Sequence, residues 1–272
     1  MKTINLIVPR GWHELDDKQL RYLFGLLADD YSSAEIRTLY LLRWSGLNSC
    51  TSERKSKFTW LLPSAAKNAS DMKVLYRQDN DFVLSFGSEE FMLTVTEVTD
   101  AIEALKWLDE IPSFPVRLSR IGQYTALPSD FLSVPFEKYI YCDNLYQGYL
   151  HTKDDSLIDE MMKVLYDGWN SKGLPLERIA TFYWFASLKQ YFAKTFHHFF
   201  QQTGGTDANL LGNAKSIAQQ VKDAMNAQIR ALTKGDITKE KEVLAMDCWR
   251  ALTELDAIAR ETEELNRKYN TK

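Results

Sequence analysis

Cysteine is scarce in this sequence. Only Cys50, Cys142 and Cys248 occur, far apart and without a CxxC pair. This number and spacing exclude a disulfide-rich scaffold and do not match the ligand spacing of a zinc site. Reduced thiols of this kind are typical of cytoplasmic proteins.

Long hydrophobic runs are also missing. The apolar run before Pro9 is too short for a signal peptide. No window approaches the roughly 18 uninterrupted apolar residues of a membrane-spanning helix. The sequence therefore predicts a soluble, cytoplasmic protein without a membrane segment.

An excess of basic residues is absent, because the 272-residue chain carries a formal net charge of −4. Such a balance argues against a broad nucleic-acid footprint. The polar, basic stretch NSCTSERKSK at 48–57 is the exception. It is either a solvated loop or a phosphate-binding patch around Arg54–Lys57, so a regulatory or nucleic-acid-associated protein stays open as an alternative.

The motifs of common enzymes are missing too. The sequence has no GxxxxGK[ST], GxSxG or HExxH pattern and no GxGxxG after a strand. The single histidine pair, His197-His198, points its rings about 100° apart on a helix, which disfavours a shared metal. We therefore predict a non-enzymatic protein with no catalytic residue, cofactor or metal. An enzyme using converging carboxylates such as Asp143, Asp154 or Asp159 remains the second alternative.

Aromatic residues, by contrast, are concentrated in one stretch. Nine of the nineteen residues from Phe182 to Phe200 are aromatic. Pro175 suits the first turn of a helix, and Gly204-Gly205 is a stop signal. Because the aromatic residues cover most of the circumference, we predict a central helix at 175–202, buried on most sides.

The N-terminal part of the sequence contains two helix-start patterns. Asp16 with Gln19, and Ser32 with Glu35, are capping boxes that predict helices at 16–29 and 33–45. The predicted inward residues of this antiparallel pair are Leu20, Leu23, Phe24, Leu27, Leu39, Leu42 and Trp44.

Short alternating runs follow and predict strands. They are Phe58–Leu62, Lys73–Arg77, Phe82–Phe86 and Glu90–Leu93, with a hairpin turning on Gln78–Asp81. A third capping box, Thr94 with Glu97, predicts a helix to about Glu110.

Proline separates the two halves of the sequence. Four of the seven prolines lie at 112–136, which predicts a linker or an extended segment on the surface. We predict an α+β fold, predominantly α, with a small antiparallel meander. Its parts are an α+β part at 1–111, the Pro-rich linker at 112–136 and a helical part at 137–272. The expected later helices are 135–149, 154–168, 175–202, 208–233 and 237–268.

The last predicted helix carries a narrow apolar seam. Leu244, Cys248, Leu252, Leu255 and Ala259 repeat at four-four-three-four spacing. One interpretation is a surface for a protein partner or for self-association, and part of the helix would project beyond the core. The alternative is a helical hairpin packed on its own domain. The candidate partner-binding residues are Leu244, Cys248, Trp249, Leu252 and Leu255.

The stretch from Ile229 to Glu261 carries an L-x-x-G-D-I-x-K-x-x-E-V run followed by W-x-x-L-x-x-L. It resembles the C-terminal segment of proteins encoded in the tail-assembly regions of phages and prophages, and the start at Pro9 and Trp12–Leu15 is similar to theirs. The matching positions are Leu232, Gly235, Asp236, Lys239, Glu242, Val243, Trp249, Leu252 and Leu255.

The resemblance implies a phage or prophage protein, such as a tail assembly chaperone or structural component. Such a protein binds virion proteins in the host cell cytoplasm and is not an enzyme. At 272 residues, with strands near the front, the chain is larger than many small helical chaperones.

Overall fold

The structure, a computed structural model, describes residues 2, 3, 6, 8–29, 31–44, 72–78, 81–86, 89–201 and 217–270. The chain divides into two compact units, Met1–Glu110 and Ile111–Lys272. The fold is α+β and predominantly helical, with a small antiparallel meander near the front, which confirms the predicted fold class.

The first unit contains helices α1 (Asp17–Ala28), α2 (Ser33–Trp44) and α3 (Val95–Ala104). Its strands are β1 (Lys2–Thr3), β2 (Met72–Gln78), β3 (Asp81–Phe86) and β4 (Glu89–Thr94). Strands β2, β3 and β4 form the predicted meander, and β1 adds a parallel edge beside β4. The predicted strand at 58–62 and the basic stretch at 48–57 lie outside the described residues.

All three predicted capping boxes are present. The Asp16 carboxylate accepts from the Gln19 backbone N–H at 2.8 Å, and the Gln19 side chain accepts from the Asp16 N–H at 2.9 Å. The same reciprocal pairing joins Ser32 with Glu35 and Thr94 with Glu97. Each box satisfies donors at a helix start, which is why these three boundaries can be read from sequence.

The inward face of α2 differs from the prediction. Leu42 and Trp44 are each 37 % exposed, whereas Ile36, Tyr40 and Leu41 are buried. Of the predicted inward residues of α1, Leu20, Leu23 and Phe24 are buried and Leu27 is half-buried. The rotation of α2 is set by the helices that it packs against, α1 and α3, and not by its own apolar content alone.

Two tryptophans link the first residues of the first unit to its last residues. Trp12 lies in a short 3-10 turn and donates its indole N–H to the carbonyls of Trp107 and Glu110. Trp107 donates in turn to the Pro9 carbonyl at 3.1 Å, and the two rings meet edge to face at 5.6 Å. The two ends of this unit are thereby held together.

The second unit is built mainly from helices. These include α4 (Phe136–Thr152), α5 (Asp155–Leu165), α6 (Pro175–Thr195), α7 (Ile217–Thr233), α8 (Glu240–Ala245) and α9 (Cys248–Asn270). A two-residue hairpin of β5 (Arg120–Ile121) and β6 (Tyr124–Thr125) precedes them.

Helix α6 is the central aromatic helix that the sequence predicts. Trp184, Phe185 and Phe192 have no exposed surface. The Glu177 carboxylate accepts from the Leu174 N–H at 2.8 Å, as a first-turn acid should. The helix ends at Thr195, and a turn at Phe196 precedes a further helical stretch at 197–201.

The predicted linker at 112–136 lies inside the second unit. Val116, Leu118, Ile121, Phe131 and Val134 are all buried there. The prolines keep this segment extended, but its apolar residues cover the helices of the unit and form part of its core. The spacing of the prolines indicates an extended backbone, but it does not indicate that the apolar side chains of the segment are buried.

The prediction of a single helix at 237–268 is wrong, because the helix is interrupted at Met246. Met246 takes an extended conformation and accepts from the Phe136 N–H at 2.8 Å, while the Cys248 N–H donates to the Val134 carbonyl at 2.8 Å. Asp247 and Pro135 form an isolated antiparallel β-bridge, and the Asp247 carboxylate accepts from the Arg250 N–H. The break is therefore caused by pairing with a segment more than one hundred residues away.

Candidate interaction surface

The described part of α9 has two halves, which we call the root (248–259) and the tip (260–270). Within the root, Cys248 and Leu252 have no exposed surface, and Leu255 and Ala259 are 3 % and 4 % exposed. Leu244, on the preceding helix α8, is half-buried. These candidate partner-binding residues pack inside their own unit, as in the alternative interpretation of a helical hairpin.

Trp249, the remaining candidate, faces the end of α6. Its ring meets those of Tyr191, Phe192 and Phe196 at centroid distances of 5.9, 5.7 and 5.5 Å. Its indole N–H donates to the Asp130 carbonyl at 2.8 Å. Trp249 therefore couples the root of α9 to a loop that sequence reasoning did not single out.

That loop, residues 129–133, we call the Leu132 loop. Phe131 and Ser133 have φ angles of 62° and 60°, in the left-handed region that side chains rarely adopt. Between them, Leu132 is 56 % exposed. The Asp130 carboxylate accepts from the Leu132 N–H at 3.0 Å, which tightens the turn.

Buried aromatic side chains fix the backbone of the Leu132 loop. Phe131 has no exposed surface, and its ring packs against those of Tyr139, Trp184 and Phe185 at centroid distances of 6.2–6.4 Å. Two indole N–H groups, from Trp184 and Trp249, donate to successive carbonyls of the loop at 2.9 and 2.8 Å. These contacts over-determine a strained backbone and fix Leu132 facing outward.

The tip of α9 is exposed along most of its length. Leu265 and Tyr269 are 53 % and 75 % exposed. Within the tip, the Glu263 carboxylate lies 3.0 Å from His198 Nδ1. Two turns earlier, in the root, the Asp256 carboxylate accepts from the Phe199 N–H at 3.0 Å.

The carboxylates of the alternative enzyme hypothesis each have a partner of their own. Asp159 accepts from Arg178 at 2.8 Å and from the Gly173 N–H at 2.9 Å. Burial raises the pKa of Asp159, but these hydrogen bonds outweigh it and lower the pKa below its ordinary value. Asp154 caps α5, and Asp143 pairs with Lys189.

Histidine and cysteine show no convergence within the described part of the chain, where no three His, Cys, Asp or Glu side chains are grouped to hold a metal ion. The rings of His197 and His198 lie 3.9 Å apart. Cys142 and Cys248 are buried free thiols, and burial raises the pKa of both. The described helices also include none with the length and apolarity that crossing a bilayer requires.

Comparison with protein-family models, with curated proteins and with solved structures gives no match to this chain.

Proposed function

We propose that this chain is a non-enzymatic protein–protein interaction protein of phage or prophage origin, acting in virion or tail assembly in the host cell cytoplasm. The observation that carries the interaction role is the Leu132 loop. An exposed apolar side chain is held there between two residues of positive φ.

Such an arrangement is suited to binding a protein. Strained backbone persists only where its surroundings enforce it, and it is concentrated at binding and switch sites. A rigid apolar side chain loses little conformational freedom when it enters a pocket on a partner. Leu132 would therefore act as an anchor that inserts into an apolar pocket of a virion protein.

The phage origin rests on the resemblance of the C-terminal segment. In the structure, Gly235 takes a φ of 82° in the turn after α7, and Asp236 accepts from the Thr238 N–H at 3.0 Å. Val243, Leu252 and Leu255 are buried. The shared pattern thus coincides with residues that build the C-terminal hairpin, which supports a common architecture with the resembling proteins.

The test is an affinity pull-down from cells that express the neighbouring phage-type genes. Because α9 supplies fully buried residues, a truncation before it would remove part of the core, so a point variant is used. Leu132→Ser is expected to lose the retrieved virion protein. Leu174→Ser is the matched control, since Leu174 is also exposed, at 65 %, and lies at the start of α6.

Both variants should melt at nearly the wild-type temperature, because exposed substitutions change stability by less than about 0.5 kcal/mol. Equal retrieval by Leu132→Ser and wild type would overturn the role of the loop. If the wild-type chain retrieved no virion protein at all, the assembly proposal would fail.

A further inference from the structure

A second, largely apolar stripe begins at Ile258, near the end of the root, and continues along the tip of α9. Ile258, Thr262, Leu265 and Tyr269 recur at four-three-four spacing, the seam of a short coiled coil. At 3.6 residues per turn, this stripe is rotated by about 80° from the buried seam of the root. Ile258 is half-buried, and the other three residues are exposed.

Acidic residues predominate in the first part of the tip, and basic residues predominate in its last turn. Arg260, Glu261, Glu263 and Glu264 lie in the first part, and Arg267 and Lys268 lie in the last turn. An antiparallel arrangement of two such helices brings the acidic part of one beside the basic part of the other. The segment is therefore complementary to itself, and this identifies the occupant that fits the stripe.

We propose that the tip of α9 is a self-association site, where two copies of this chain pair as antiparallel helices. In the register that matches the stripe, Ile258 faces Tyr269 of the second copy, and Thr262 faces Leu265 of the second copy. The same register places Glu261 beside Lys268 of the second copy. Two-fold symmetry repeats each of these contacts.

A parallel pair fits the tip less well. In register, it would stack Thr262 on Thr262 and place Glu261 beside Asn266, so it has no acid–base pair across the seam. The antiparallel register gives two such pairs and puts a large apolar side chain in every layer. Charge and shape thus favour the same orientation.

The paired stretch is short, about 12 residues or roughly 18 Å on each helix. An interface of this size lies at the weak end of specific association. The dimer is therefore reversible and depends on protein concentration.

The experiment is sedimentation velocity on the full chain over a wide concentration series. Wild type is expected to shift from monomer to dimer as concentration rises. Leu265→Ser and Tyr269→Ser should remain monomeric, because each removes the apolar contact of two symmetric layers. Leu174→Ser is the matched control and should dimerise like wild type.

Charge reversal tests the orientation. Glu261→Lys and Lys268→Glu should each weaken dimerisation by about tenfold, since two pairs become repulsive. The double variant, and an equimolar mixture of the two single variants, should recover the wild-type affinity. Recovery in the mixture requires the two positions to face each other across chains.

A wild-type chain that stays monomeric at every concentration would overturn the proposal. So would a dimer that is insensitive to Leu265→Ser, or a mixture no tighter than its components. The outcome is independent of the virion-partner proposal, because that test depends on the Leu132 loop and this one on the tip.

Discussion

The root and the tip of α9 belong to one continuous helix, yet they meet opposite environments. The root packs against α4 and α7, and five of its residues are at most 4 % exposed: Cys248, Ala251, Leu252, Leu255 and Ala259. Residues 260–269 of the tip are exposed except at Glu263, which is half-buried beside His198.

The contrast shows that an apolar stripe at helical spacing has two possible uses. Backbone hydrogen bonds continue the helix through both halves, so secondary structure does not separate them. What separates them is whether neighbouring helices of the same unit cover the stripe. The stripe of the root stabilises the fold, whereas the stripe of the tip is exposed among the described residues.

The largest expected effect compares one leucine from each half. Leu252→Ala in the root should lower the free energy of unfolding by about 2–5 kcal/mol, because it removes fully buried methyl groups and leaves a cavity. Leu265→Ala in the tip should change it by less than about 0.5 kcal/mol. Urea denaturation of dilute protein, below the dimerising range, measures both. Comparable losses would show that the tip is also part of the folded core.

A second prediction concerns the coupling of the root to the Leu132 loop. Trp249→Phe keeps an aromatic ring but removes the N–H that binds the Asp130 carbonyl. We expect a loss of about 1–2 kcal/mol, together with faster hydrogen exchange at residues 130–133.

Trp44→Phe is the control for that substitution, because Trp44 is 37 % exposed and belongs to the first unit. It should leave both readouts near wild type. Unchanged exchange in the Leu132 loop of Trp249→Phe would contradict the coupling.

The smallest expected effect defines the boundary between root and tip. Glu263→Gln removes the negative charge that lies beside His198, and a partly exposed pair of this kind contributes about 0–1 kcal/mol. Hydrogen exchange should accelerate in the tip and not in the root. Glu264→Gln, one residue further on and exposed, is expected to have no effect. Equal acceleration in both variants would mean that Glu263 does not anchor the tip.

Local features of the fold were predictable because they depend on neighbours in sequence. Asp16, Ser32 and Thr94 begin helices through hydrogen bonds that span three residues. The strands of the meander follow one another directly, so their pairing needs no distant information. The aromatic density of α6 likewise indicates burial without naming what covers it.

The candidate site was less predictable. Spacing identifies the seam of Leu252 and Leu255, but spacing cannot tell an internal contact from an external one. The Leu132 loop gives no sequence signal, since nothing in the letters SDFLS demands a positive φ at Phe131 or Ser133. That geometry arises from Trp184 and Trp249, which lie 55 and 119 residues from the carbonyls that they bind.

By itself the sequence determined where most helices and strands begin, the identity of the central helix and the mixed charge of the last one. The tertiary structure decided that Met246 breaks the predicted helix, that segment 112–136 joins the core, and that the root is covered while the tip is not. The reason is physical: caps and periodicity act within a few residues, whereas burial, bridge pairing and backbone strain depend on groups brought together only by folding.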